Sequence, residues 1–324
     1  MESNGGGEKA VVAIPTIDLQ DFPAQLGKLR EACEEWGCCR IVNFDHVLSK
    51  SLLPDMKDVV KSLFDLPQEI KARNKHVLPG SGYTTPSLRH PNYEALGIYD
   101  MSSLHDVEAF CDALDVSPHQ RETIVNYAKG AHALIMEIID KLCEALGVKG
   151  EQDFKDWCCH MRINKYHFTP ETIGGPGVLT HTDSAFLTVL QDDECVGGLD
   201  VITKSGELVA VDPLPGSIVL NLGDMANLWS NGRLWSVRHR VVCKEASVRF
   251  SIASFILGPK KEAFVEPPPE LVTPDHPRQY VPASYESLRK LRIDNNMHEG
   301  EVLGLVRVDH VHAAAADADE PAQN

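Results

Sequence analysis

Leu199-Asp200-Val201-Ile202-Thr203-Lys204-Ser205-Gly206-Glu207-Leu208-Val209-Ala210-Val211 holds two short β-prone runs, 199–202 and 207–211, on either side of Lys204-Ser205-Gly206. A glycine at the end of a short polar break lets the chain reverse, so this stretch predicts a β-hairpin. The same texture continues outward. Runs 217–222, 236–243 and 249–257 follow, and runs 185–191 and 160–168 precede, with Gly, Asn, Asp and Pro between them. Many short strands without intervening helices predict an antiparallel sandwich or jelly roll with helices packed outside it.

The first half of the chain reads differently. After an apolar strand at 11–14, the segment 24–36 puts Leu26, Leu29, Cys33 and Trp36 on one helical stripe. Residues 40–44 look strand-like, and Leu52, Leu53, Met56, Val59, Val60, Leu63 and Phe64 mark a second helix. Ser117-Pro118 supplies an N-cap and first-turn proline for a long helix, whose face runs Ile124, Tyr127, Ala131, Leu134, Ile138 and Leu142 and stops at Gly147. Leu288 and Leu291 predict one more helix after Tyr285. The division that follows is a disordered start (1–9), an N-terminal region (10–115), a long helix packing on the core (116–156), a β domain (157–260), a C-terminal extension with a helix (261–312) and a disordered tail (313–324).

Composition narrows the function. With 43% hydrophobic residues the 324-residue chain can bury a large core, and a net charge of -16 argues against nucleic acid or an anionic membrane as partner. No run approaches the ~20 apolar residues of a membrane span, and Met1-Glu2-Ser3-Asn4-Gly5-Gly6-Gly7 is no secretory signal. Nine cysteines, with Cys38-Cys39 and Cys158-Cys159 adjacent and no C-x-x-C, read as reduced core thiols. The expectation is a soluble, cytoplasmic protein, with nuclear entry left open, acting on a small molecule; self-association is left open too.

Three polar pairs spaced two apart then stand out. Side chains two apart on a strand share a face, so His181 and Asp183 would point together with Thr182 turned away. His239 lies in another β-prone run, which a barrel would bring alongside. Arg249 and Ser251 form a second such pair ten residues after His239, and Asn164 and Tyr166 a third. Two imidazoles and a carboxylate suit a metal with open positions, Fe(II) above all, and an arginine beside a hydroxyl suits a carboxylate ligand. By the same period Phe255 shares the face of Arg249, Ser251 and Ala253. His160 and His167 read as hydrogen-bonded or solvated, Asp192-Asp193-Glu194 as an exposed turn, and Trp229 and Trp235 as loop anchors, with Trp235 within reach of the pocket.

With H-x-D, a later His, R-x-S and a preceding N-x-Y all present, the chain resembles the plant 2-oxoglutarate and Fe(II)-dependent dioxygenases. Ile14-Pro15-Thr16-Ile17-Asp18-Leu19 and Trp36-Gly37 match that family's N-terminal pattern, whereas Cys38-Cys39 and Asn43-Phe44-Asp45-His46 depart from it. The resemblance implies a double-stranded β-helix (jelly roll) core and an oxidoreductase using Fe(II), 2-oxoglutarate and O2, with ascorbate helpful. It assigns His181, Asp183 and His239 to iron, and Arg249, Ser251, Tyr166 and Asn164 to 2-oxoglutarate. Succinate and carbon dioxide would leave as a prime substrate is oxidised.

The stretches 177–193 and 196–201, with Pro91-Asn92-Tyr93-Glu94-Ala95-Leu96-Gly97, resemble the branch of that family that oxidises auxin or modifies glucosinolates, more closely the former. That implies oxidation of indole-3-acetic acid to 2-oxindole-3-acetic acid. Phe255, Phe186 and Leu187 are then candidates for an indole slot, and Arg89 for its carboxylate. A gibberellin or another specialised acid under the same chemistry is the alternative, and a catalytically silent jelly-roll binding protein the second.

Overall fold

The computed structural model describes residues 12–88, 91–149 and 154–311. The expected disorder at 1–9 and 313–324, and Arg89, lie outside these residues. In chain order the first half runs β1 (Thr16–Asp18), α1 (Leu26–Glu31), β2 (Cys38–Val42), α2 (Leu52–Phe64), α3 (Gln68–Lys71), β3 (Tyr93–Ile98), α4 (Leu104–Ala113) and α5 (Pro118–Leu146). The second half runs β4 (Trp157–His167), β5 (Pro176–His181), β6 (Leu187–Gln191), β7 (Leu199–Ile202), β8 (Leu208–Ala210), β9 (Ile218–Leu222), α6 (Asp224–Trp229), β10 (Arg238–Val242), β11 (Val248–Pro259), α7 (Tyr285–Asp294) and α8 (Val302–Leu305). This is the mainly β architecture with flanking helices that the strand pattern predicted.

The strands form a seven-stranded sheet, β1-β2-β9-β6-β11-β4-β3, and a four-stranded sheet, β5-β10-β7-β8. β7 and β8 make the predicted hairpin, closed by Gly206 N–H donating to the Thr203 carbonyl at 2.9 Å. One face of the large sheet packs on the helices through Met161, Ile163, Leu187, Val189, Leu220 and Ile252. Its other face meets the small sheet through Leu190, Val219 and Ala253 against Leu199, Val201 and Val209. Among the described residues no helix is long and apolar enough to cross a membrane.

α5 is built as its sequence dictates. Ser117 and Gln120 close a reciprocal capping box, and Gly147 ends the helix at φ 71°. The six residues of the expected stripe are all buried, against α1, α2, α4 and β11. The first strand lies later than expected, at Thr16–Asp18, because it is the ladder to β2 that defines it: Ile17 pairs with Ile41 in parallel, while 12–15 makes no ladder. The expected helix 24–36 begins as α1 and ends in a π turn, Ala32–Trp36. β3 and α4 were not expected, and β5 was expected only at the end that carries His181.

Candidate metal and co-substrate site

The cavity between the sheets follows from register. On β4 and β11, Tyr166 pairs with Arg249, Asn164 with Ser251, Arg162 with Ala253 and His160 with Phe255, and all eight alternate onto the face toward the small sheet. β3 adds Tyr93 opposite Tyr166 and Gly97 opposite Arg162; β6 and β9 add Thr188 and Asn221. On the small sheet His239 pairs directly with His181.

That pairing puts the two imidazole rings 4.3 Å apart. His181 is the last residue of β5, and Asp183 lies in the turn beyond it, so the expectation that one strand carries both is met only in part. The groups converge nonetheless: Asp183 Oδ1 is 3.6 Å from His181 Nε2 and 3.8 Å from His239 Nε2. One ligand atom from each of the three lies within 4.8 Å of the others. His181 Nδ1 is 2.9 Å from the Leu179 carbonyl and His239 Nδ1 3.2 Å from the Val237 carbonyl. A carbonyl only accepts, so each Nδ1 carries the proton and each Nε2 offers a lone pair. Burial and the neighbouring His181 push His239 down to about 4, which keeps it in the neutral, ligating form. Burial works against the Asp183 charge, and the Thr188 hydroxyl, donating to Oδ2 at 2.5 Å, favours it; the carboxyl lies below its ordinary range. Two neutral nitrogens and one anionic oxygen on one side of a cavity fit Fe(II) with positions left open.

Thr182 turns away, as its place in the triplet predicted. Its hydroxyl meets Asp224 Oδ2 at 3.2 Å and accepts from Arg292 of α7 at 3.2 Å, while Ser236 donates to the other Asp224 oxygen at 2.7 Å. The turn also rests on Gly223, where an added Cβ would fall 2.2 Å from the Ala185 carbonyl oxygen and 2.6 Å from that of Asp183. Both neighbours are backbone and cannot step aside. Gly223→Ala is therefore expected to cost about 1–3 kcal/mol of stability and to weaken metal binding. A urea midpoint and a Mn(II) titration both equal to wild type would show that the turn has room.

A cavity of about 170 Å³ runs inward from His181, Asp183 and His239 to Arg249, Ser251 and Tyr166. Arg249 is 1% exposed, lies 5.1 Å over the Tyr166 ring and is paired with Asp192, yet its Nε and Nη1 have no hydrogen-bond partner among the described residues. Buried donors without acceptors at the end of a narrow cavity fit a carboxylate, which is what 2-oxoglutarate would bring. Asn164 donates to Ser251 Oγ at 3.2 Å and accepts from the Tyr93 hydroxyl at 2.7 Å.

A second, outer cavity of about 280 Å³ opens from His181 and Asp183 toward solvent. His160, Arg162, Phe255, the loop 78–81 and Tyr285, Arg289 and Arg292 of α7 line it. His160 stacks on Phe255 at 5.8 Å and donates from Nδ1 to the Ile98 carbonyl at 2.8 Å, and burial, with Arg162 nearby, pushes it down to about 4. Arg162 faces both cavities. It donates to the Tyr93 hydroxyl at 2.8 Å, to Thr84 at 3.0 Å and to the Gly80 carbonyl, all neutral; among the described residues no carboxylate pairs with it.

Not every expected residue reaches the site. Phe186 is fully buried away from both cavities, edge-on to Trp157, Phe154 and Trp229, because it precedes β6 and escapes that strand's alternation. Leu187 is equally buried in the helical-side core. Trp235 lies under Lys204 and lines neither cavity. Asp192 and Asp193 are not exposed: Asp192 meets Arg249, and Asp193 accepts from the backbone of Phe250, Cys195 and Val196 and pairs with Lys57. Pattern reading missed Arg162, Tyr93 and Asp192; for Arg162 the signal was present, as the next residue two apart from Asn164.

The fold and this donor set define a non-haem iron oxygenase, and the chain belongs to the 2-oxoglutarate and Fe(II)-dependent oxygenase superfamily. Residues 157–258 match the 2OG-Fe(II) oxygenase superfamily, and residues 14–123 the N-terminal region described as non-haem dioxygenase in morphine synthesis. The chain is 46% identical over 299 residues to the 2-oxoglutarate-dependent dioxygenase DAO of Oryza sativa subsp. japonica, covering 90% of this chain and 98% of that one. Gibberellin 3-beta-dioxygenase 1 of Pisum sativum is 29% identical over 301 residues, covering 86% and 76%. Among solved structures, the rice dioxygenase for auxin oxidation superposes with a TM-score of 0.85 at 46% identity, covering 91% and 100%. Dioxygenase for auxin oxidation 1 of Arabidopsis thaliana, solved as a binary complex with 2-oxoglutarate, gives 0.79 at 52% identity, covering 82% and 100%. The chain is thus an oxidoreductase that uses Fe(II) and 2-oxoglutarate.

Proposed function

We propose that this enzyme oxidises indole-3-acetic acid to 2-oxindole-3-acetic acid, consuming O2 and 2-oxoglutarate and releasing succinate and carbon dioxide. The observation that carries this reading is the outer cavity. Its stacked His160 and Phe255 form a wall for a flat aromatic ring, and Arg162 offers a cation whose partners among the described residues are all neutral. The likeness to the rice and Arabidopsis auxin oxidases supports it.

His181, Asp183 and His239 would hold the iron, which when bound supplies oxygen activation coupled to oxidative decarboxylation of the keto acid. Arg249, Ser251 and Tyr166 would hold the distal carboxylate of 2-oxoglutarate, with Asn164 fixing the Ser251 hydroxyl. Arg162 would take the substrate carboxylate in place of the expected Arg89, and Phe255 would pack on the indole. In this reading the β segment drawn from the sequence, 157–260, would carry the ligands.

Succinate formation across a panel of acids, indole-3-acetate and gibberellins among them, tests the substrate; a stronger response to a gibberellin would sink the auxin assignment. Arg162→Gln is expected to raise KM for indole-3-acetate by about ten- to fiftyfold, the worth of one charge-assisted hydrogen bond, and to leave the methyl ester unaffected. Equal changes for acid and ester would remove Arg162 as the anchor.

A further inference from the structure

The acidic run at 192–194 has a use that its surface-like composition hides. Asp192 Oδ1 accepts from Arg249 Nη2 and, at 2.9 Å, from the Asp193 backbone N–H; Oδ2 is buried with no partner among the described residues. If Nε and Nη1 of Arg249 receive the distal carboxylate of 2-oxoglutarate, one buried guanidinium then stands between two carboxylates. Where two carboxylates share a site, one is driven toward its protonated form.

The donors decide which. The co-substrate carboxylate would gain the free Arg249 nitrogens and the Ser251 hydroxyl, whereas Asp192 keeps one bare oxygen. The other charges around Asp192 do not offset this. Arg40 of β2 favours its ionised form, but that guanidinium donates to Ser217 at 2.7 Å and the Asp212 carbonyl at 2.6 Å. Asp193 opposes ionisation, and the nearby cation of α2, Lys57, is engaged by Asp193 at 3.2 Å. Burial already raises the Asp192 carboxyl above its ordinary range, against the pull of Arg249.

We infer that Asp192 is the proton-accepting counter-ion of the co-substrate site: as an anion it holds Arg249 over the Tyr166 ring before 2-oxoglutarate arrives, and it takes one proton from solvent as the dicarboxylate seats. This rests on the placement of 2-oxoglutarate at Arg249. Asp192 acts through Arg249 and is a positioning residue.

Calorimetric titration of the Mn(II)-loaded protein near pH 6.5, in buffers of differing ionisation enthalpy, reads the proton directly. About 0.3 to 1 proton should enter per 2-oxoglutarate, and close to none with 2-oxopentanoate, which lacks the distal carboxylate, or in Asp192→Asn. Without any variant, the 2-oxoglutarate Kd should fall relative to that of 2-oxopentanoate as pH is lowered, by up to about tenfold per pH unit. No proton uptake by the wild type, uptake unchanged in Asp192→Asn, or parallel pH dependence of the two acids would overturn the inference. Arg249→Gln separates it from its premise: weakened 2-oxoglutarate binding there with unchanged uptake in Asp192→Asn defeats the inference alone, whereas unweakened binding defeats both.

Discussion

Asp183→Ala is expected to leave a folded protein with turnover reduced at least a thousandfold. Removing a group that only orients a metal ligand commonly costs ten- to a hundredfold, and Asp183 would be the sole anionic ligand, so the effect should exceed that range by about tenfold or more. Its neighbours His181 and His239 remain, but two neutral imidazoles do not neutralise a divalent ion. The fold should tolerate the change, because the Asp183 side chain accepts a hydrogen bond from Thr188, whose hydroxyl can turn to another acceptor. The sharper readout is linkage. Metal present at a hundred times its Kd stabilises the wild type by about 2.7 kcal/mol, and this increment should vanish in the variant. Melting with Mn(II) and with chelator, alongside succinate formation, gives both numbers; an increment that survives in Asp183→Ala would remove Asp183 from the metal site.

Arg249→Met carries the second large effect, with two consequences that can be pulled apart. Co-substrate affinity should fall about a hundredfold or more, since the buried, charge-assisted hydrogen bonds to the carboxylate disappear with their donors. Stability should fall as well, by about 3–5 kcal/mol, because Asp192 is left buried without its cation. Pairing the substitution with Asp192→Asn removes the stranded charge. The double variant should regain most of the stability and none of the 2-oxoglutarate affinity, a coupling that a thermodynamic cycle measures. A double variant as unstable as Arg249→Met alone would mean that the ion pair is not what holds this end of the barrel.

Period was the legible part of this site. Asn164-x-Tyr166 and Arg249-x-Ser251 read as two-apart pairs on separate strands, and they are register partners across β4 and β11. The hairpin at 199–211, the Ser117 cap and Pro118 start of α5 and its buried stripe are equally local, each set by a few residues whose conformational preferences agree. What failed depended on distance. Asp192 sits in a run whose composition reads as surface, and only Arg249, 57 residues on, makes it interior. β3 carries Gly97 and few β-branched residues, and it is a strand because β4 offers it an edge. Phe186 follows the His181-Thr182-Asp183 triplet so closely that a place in the cavity looks natural, yet no alternation governs a residue outside its strand.

Two sides of the outer cavity's lining come from opposite ends of the chain. The loop 78–81 belongs to the N-terminal region and α7 to the C-terminal extension, and both lie outside residues 157–258, which contain the three proposed iron ligands and Arg249. The loop 78–81 and the outward residues of α7 can thus be varied around Arg162 and Phe255 without altering the three proposed iron ligands or Arg249, provided Arg292, which donates to Thr182, is kept. A designer can therefore reshape the mouth of the outer cavity from the two ends of the chain while the strands that hold iron and keto acid stay as they are.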